Sequence, residues 1–365
     1  MIPSAHADGT DSNAEGRSSK IFMHSKLILI VVATAAVAIA QSAQAQGGTK
    51  IYRGAVGSSH IQMTLNFDGR KVNGKYSYDS VGEDIKVAGQ LDAEGKLELT
   101  EFAEKNKPSG KFSCKRLLDN ALDQECSWTK PDGTRESFVT LSEQNIAMTG
   151  GLQIVPKLIT NRKRGISVSY PQIAGSGVLS PAAQNFNRRI LALTQKAIQD
   201  DFQPIDEKGS FDTNYNVLLG TNDLISVEMV EYYDGGGAHP NDRWWSLTYD
   251  LAANKELKFE DLFKPGSDYN TAIAKYVTDD IEKRAAEMEK DNARRENREP
   301  QKREDPIVST DQLGELSGWA MTPKGVHVYF DFPHVIAVFD KNFVPYSVIR
   351  EYLKPNGPAA KFQNN

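Results

Sequence analysis

From Lys50 to about Leu141 the apolar positions recur with period two and are broken by turn residues. Ile61, Met63, Leu65 and Phe67 alternate with polar neighbours, Asp68-Gly69 turns the chain, and Val72, Gly74, Tyr76 and Tyr78 continue the pattern. Successive strand residues face opposite sides of a sheet, so this alternation predicts strands with one apolar and one wetted face. Leu91 to Leu99, with Asp92 and Gly95 between, reads as strand, tight turn, strand, and Lys130-Pro131-Asp132-Gly133-Thr134 marks another hairpin. Residues 49–148 are therefore expected to form an antiparallel β-meander of about eight short strands, closed into a small barrel or sandwich that hides its edges.

Past the polar, glycine-tipped stretch Ser142–Gly151 the period changes. Ser167–Tyr170 reads as a strand, and Ser180-Pro181 opens a helix with serine as N-cap and proline at the first helical position. Phe186, Ile190, Leu193 and Ala197 are its expected buried stripe, with Pro204 as its stop. Strands follow at Tyr215–Leu219, Leu224–Tyr233 and Trp244–Leu251, then a short helix at Phe259–Leu262 and a long one from Tyr269. Period two returns at Val326–Phe332, and Tyr346–Leu353 reads as a last short helix docking Val348, Ile349 and Tyr352. Residues 149–355 are thus expected as an α+β domain with helices on an antiparallel sheet. The run 282–305 mixes both charge signs with little apolar content and reads as a solvated helix end and flexible insertion, and 356–365 as a frayed tail.

The N-terminus adds a destination. Lys26 precedes the apolar run from Leu27 through Ala40, and Ala43-Gln44-Ala45 supplies a small-x-small site. That order predicts a signal peptide over 1–45 cleaved near Ala45, and the apolar run is short for a membrane anchor. Met23 is a natural start for it, which makes residues 1–22 an upstream extension or an unusually long polar head. The mature chain is expected to be periplasmic or secreted, without a membrane span. Export bears on Cys114 and Cys126, which flank a polar turn: an oxidising compartment favours a disulfide, worth about 3 kcal/mol by loop-closure entropy, over a metal or redox pair, which would want closer spacing and more ligands.

Length and charge narrow the function. A chain of 365 residues has room for two folded units after a leader. A net charge of -5 spread over mixed acids and bases offers no basic field for nucleic acid. Nucleophile elbow, His-Glu-x-x-His, phosphate loop and Cys-x-x-Cys motifs are all missing, and no cofactor or metal site is implied.

One segment concentrates the local chemistry: Tyr232-Tyr233-Asp234-Gly235-Gly236-Gly237-Ala238-His239-Pro240. Three readings compete. Asp234 orients His239 beside an anion nest of glycine amides, as a hydrolase or deacetylase would use them, with or without a metal that recruits His327 as well. Gly235, Gly236, Gly237, His239 and Trp244 contact a ligand. Or the glycines supply positive φ for a tight bend and His239 satisfies nearby backbone. His327, in an alternating strand, and His334, after Pro333, read as structural. Parity with Leu247, Tyr249 and Leu251 turns Trp245 inward and Trp244 outward.

Tyr233–Pro240, Tyr249-Asp250-Leu251, Lys255–Phe263, Tyr329-Phe330-Asp331-Phe332 and Pro345-Tyr346-Ser347 together resemble the extracytoplasmic domain of unknown function found in the lysozyme-sensing anti-sigma factor and beside some peptidoglycan deacetylases. The resemblance spans about Ile166–Pro355 and implies a ligand-binding sensor domain, without the sigma-binding or deacetylase parts. It implies a non-catalytic envelope protein whose partner is a cell-wall glycan or a lysozyme-like protein.

Overall fold

The computed structural model describes residues 47–117, 124–200, 202, 209–237 and 239–362. The alternating N-terminal strands are β1 (Gly48–Val56), β2 (Ser59–Asp68), β3 (Lys71–Tyr78), β4 (Ile85–Leu91), β5 (Leu97–Phe102), β6 (Pro108–Cys114), β7 (Gln124–Thr129) and β8 (Glu136–Gln144). Each pairs antiparallel with the next, and β1 pairs with β8 from Ile51↔Gln144 to Val56↔Val139, so the meander closes as an eight-stranded barrel. Ile61, Met63, Leu65, Val72 and Tyr76 fill it as the alternation requires. Gly54 permits the closure, because a Cβ there would sit 1.8 Å from the Thr140 carbonyl oxygen. Cys114 and Cys126 lie directly opposite in the β6–β7 register and are joined as the expected disulfide.

The second region is built on a six-stranded sheet, order β14-β13-β12-β11-β10-β9. Its strands are β9 (Gln153–Asn161), β10 (Ile166–Ala174), β11 (Ser210–Gly220), β12 (Leu224–Asp234), β13 (Asn241–Asp250) and β14 (Lys255–Glu256). All pairs are antiparallel except β10–β11, which the crossover helix α1 (Pro181–Asp200) joins in parallel. Ser180 Oγ accepts the Ala183 N–H at 3.2 Å as the expected cap, and Phe186 and Ile190 pack against Val168, Phe211 and Val217 of the sheet. β9 was hidden in the pattern by Pro156, which an edge strand tolerates.

The sheet's other face carries a second core. A three-stranded sheet, β15 (Gly318–Met321), β16 (Gly325–Tyr329) and β17 (Lys341–Pro345), packs with α2 (Tyr269–Glu296) and α3 (Tyr346–Ile349). Ile273, Val277 and Ile281 of α2 meet Val326, Val328, Val344 and Ile349 there. Residues 282–305 begin as a solvated helix end, since α2 runs to Glu296; Asn297 ends it in the left-handed region, and Arg298 folds back on Glu289 at 3.2 Å before Val308 and Leu313 re-enter the core. The tail does not fray through Phe362, since Ala359 and Phe362 bury against Tyr346 and its neighbours, and 363–365 lie outside the described residues. Two apolar anchors hold what the Pro/Gly/Asn composition suggested was loose.

Barrel and sheet meet at a buried ion pair. Arg53 of β1, 1% exposed, donates to both Asp79 carboxylate oxygens at 3.1 and 2.6 Å and to Asn214 Oδ1 at 2.7 Å, over the Tyr215 ring. Burial alone would raise the Asp79 carboxyl, but the charge and hydrogen bonds of Arg53, with the Ser169 hydroxyl, outweigh it and hold it below the ordinary carboxylate value. His60 Nε2 adds a 2.7 Å contact to Asp212. Among the described residues no helix is long and apolar enough to cross a membrane.

Candidate functional site

A cleft of about 1290 Å³ opens between the start of β13, the β16–β17 pair, the short helix His334–Phe339 and α2. At its base lies a charge that the apolar strand β12 drives inward. Glu228 is fully buried and accepts hydrogen bonds from Tyr329 Oη at 2.6 Å, Lys341 Nζ at 2.9 Å and Asn216 Nδ2 at 3.0 Å. Burial would raise its carboxyl. The Lys341 charge, then His327, then the Tyr329 and Asn216 bonds prevail and hold it low. Asn216 Oδ1 in turn accepts from Gln144 Nε2 of β8 at 3.1 Å, so the cluster is braced from the barrel. Lys341 and His327 line the cleft above it.

The cleft wall is aromatic on one side. Trp244 packs against Leu218, Ala320 and Tyr329 and lines the cleft. It faces away from Trp245, as parity predicts, but into a cavity rather than open solvent. Trp245 packs toward α1 and its indole N–H donates to Glu231. Opposite, Asp340 accepts the Phe332 N–H at 2.9 Å, and burial pushes its carboxyl up to about 6, the Phe332 bond opposing and Asp331 adding to the rise. Arg284 of α2 pairs with Asp280 at 2.8 Å and bonds Asn342, closing the far end.

The glycine loop forms the rim. Asp234 Oδ1 accepts the Gly236 N–H at 2.9 Å, a local turn. Only Gly236, at φ 80°, needs the left-handed region; Gly235 is held small by the Tyr233 hydroxyl, 2.3 Å from where its Cβ would sit, and Gly237 faces open space. The expectation that all three glycines supply positive φ is thus corrected to one. His239 is exposed, with Nδ1 3.2 Å from its neighbour Pro240's carbonyl oxygen, and its ring stacks on His334 with centroids 3.9 Å apart. Asp234 and His239, the pair a hydrolase reading would use, therefore make separate contacts. Ala238 lies outside the described residues. His327 sits on a sheet face, as its strand predicts, while His334 holds the rim. Among the described residues no group of three or more His, Cys, Asp or Glu is arranged to hold a metal ion.

Glu228, Tyr329 and Lys341 were not among the residues the sequence nominated. One signal was present: a single carboxylate inside the run Leu224-Ile225-Ser226-Val227-Glu228-Met229-Val230 is costly to bury without a partner. What the cleft offers is a stacking face at Trp244 beside opposed cations and carboxylates, suited to a ligand that is polar around its edge and apolar on a face.

An eight-stranded barrel followed by an α+β region with a cleft between its two sheets is the class of protein that fold and site define. Residues 260–340 match the model of a family described as "Protein of unknown function (DUF3298)", which covers α2 and much of the cleft's far wall. Two solved structures are similar: a DUF3298 family protein from Pseudomonas aeruginosa PAO1, 17% identical, covering 56% of this chain and 94% of that one with a TM-score of 0.36, and a member of the same family from Bacteroides fragilis NCTC 9343, 12% identical, covering 59% and 97% with a TM-score of 0.34. A search of curated proteins finds no match. The family match falls inside the span 166–355 in which the motifs pointed to a domain of unknown function.

Proposed function

We propose that the protein is an exported, non-catalytic binding protein of the bacterial envelope whose cleft recognises a cell-wall glycan fragment. The observation that carries this reading is Trp244, set in the wall of a cleft of about 1290 Å³ among paired charges. A sugar ring presents an apolar face to an indole and hydroxyl or amide groups to the polar groups around it. The leader expected over 1–45 and the resemblance to an envelope sensor domain support the compartment. In this reading Gly235, Gly236 and Gly237 shape the rim, and His239 holds it against His334.

A second reading, that the occupant is a wall-active protein such as lysozyme, is favoured by the short helix His334–Phe339, where Val338 lines the cleft and Val335 and Val338 are 88% and 62% exposed. Calorimetric titration with N-acetylglucosamine oligosaccharides, muropeptides and lysozyme tests both. Saturable binding to one of them, weakened about tenfold or more by Trp244→Ala, is expected. Binding to none of the three overturns the proposal.

A further inference from the structure

A second groove, of about 330 Å³, runs along the outer edge of β13 and is independent of the cleft assignment. The edge is open for a topological reason. β14 pairs with β13 only at Tyr249↔Glu256 and Asp250↔Lys255. After Leu257, whose N–H donates to the Thr248 carbonyl at 2.9 Å, the chain turns into the short helix Phe259–Leu262 and leaves the sheet. Beside Arg243–Leu247 the position a sixth strand would continue to fill holds no strand among the described residues.

The parity of the edge follows from two bonds. Leu251 N–H reaches inward to Asp223 O at 2.8 Å, and Thr248 O is met from outside by Leu257. In an antiparallel ladder these directions alternate, so Trp245 and Leu247 bond to β12 while the main-chain groups of Trp244 and Ser246 point outward from the edge, those of Ser246 into the groove. Among the described residues those outward groups make no hydrogen bond. The groove's sides are apolar: Leu193 and Ala197 of α1 with Trp245 on one, and Trp319 of β15 on the other, pinned by Ser246 Oγ, which donates to the Trp319 carbonyl at 2.6 Å.

We infer that this groove binds an extended peptide as an added strand, antiparallel to β13 and in line with β14. Donors and acceptors repeating every second residue match another extended backbone. Lys255–Leu257 show that a strand already fits this position in this direction. The apolar sides call for aliphatic side chains at alternate positions, and the rim, with Lys196 and Arg243 against Asp200 and Glu256, is balanced in charge.

The probe is a capped heptapeptide, Lys-Val-Thr-Val-Thr-Val-Lys, with two further versions N-methylated on one or the other set of alternate amides. In the free protein, the Trp244 and Ser246 amides are expected to exchange hydrogen on the order of tenfold or more faster than those of Trp245 and Leu247. The peptide should remove that difference, one N-methylated set should abolish binding while the other preserves it, and Ala197→Trp should block the groove. Equal protection of all four amides in the free protein, no binding up to about 1 mM peptide, binding indifferent to the position of N-methylation, or full binding by Ala197→Trp would each overturn the inference.

Discussion

At the scale of single residues the rim loop separates geometry from chemistry. Gly236 holds a φ of 80°, so Gly236→Ala should cost about 1–2 kcal/mol in urea unfolding, while Gly237→Ala, with nothing near its Cβ, should stay within about 0.5 kcal/mol. Equal effects would contradict the assignment of the bend to Gly236. Asp340 supplies a pH test. Its carboxyl is raised from 3.8 to about 6, so the folded state holds its proton more tightly than the unfolded chain does. That stabilisation is complete below the unfolded value and is lost as pH rises toward 6. Asp340→Asn keeps the oxygen that accepts from Phe332 and removes the titration. Its unfolding midpoint should therefore gain on the parent's between pH 4 and 6, and a constant offset across that window would count against the buried acid.

At the scale of elements, the junction of β1 with the sheet rests on Arg53. Replacing it with Met leaves Asp79 buried without its cation, which should cost about 3–5 kcal/mol in urea unfolding; a change under about 1 kcal/mol would show that the pair is incidental. The barrel was legible because period-two alternation is strong where one face is wet, and its hairpins are marked by Gly and Asp. Helix α1 was legible from Ser180, Pro181 and its apolar stripe. β9 was masked by Pro156 and β17 by its shortness, since five residues show little period. The cleft was only half legible. Trp244 and the glycine loop announced themselves, but Glu228 and Lys341 lie 113 positions apart and meet only through the packing of the large sheet against the three-stranded sheet that holds β17. His239 gave no sequence sign that its partner would be His334.

At the scale of the whole molecule, the barrel braces the cleft through Gln144, Asn216 and Glu228, and one strand, β13, borders both the cleft and the edge groove. Trp244 belongs to the cleft, Trp245 and Trp319 to the edge groove, and Trp128 to the barrel, where its indole donates to Glu101 at 2.8 Å. The chain has 4 tryptophans, so the indole N–H region of a proton–nitrogen correlation spectrum reports each surface separately. Titration of the protein with an N-acetylglucosamine oligosaccharide or a muropeptide, followed in that region, tests the central claim. The account predicts that the Trp244 signal moves and saturates while that of Trp128 stays still; no movement of Trp244 at ligand saturation, or movement confined to Trp128, would contradict it.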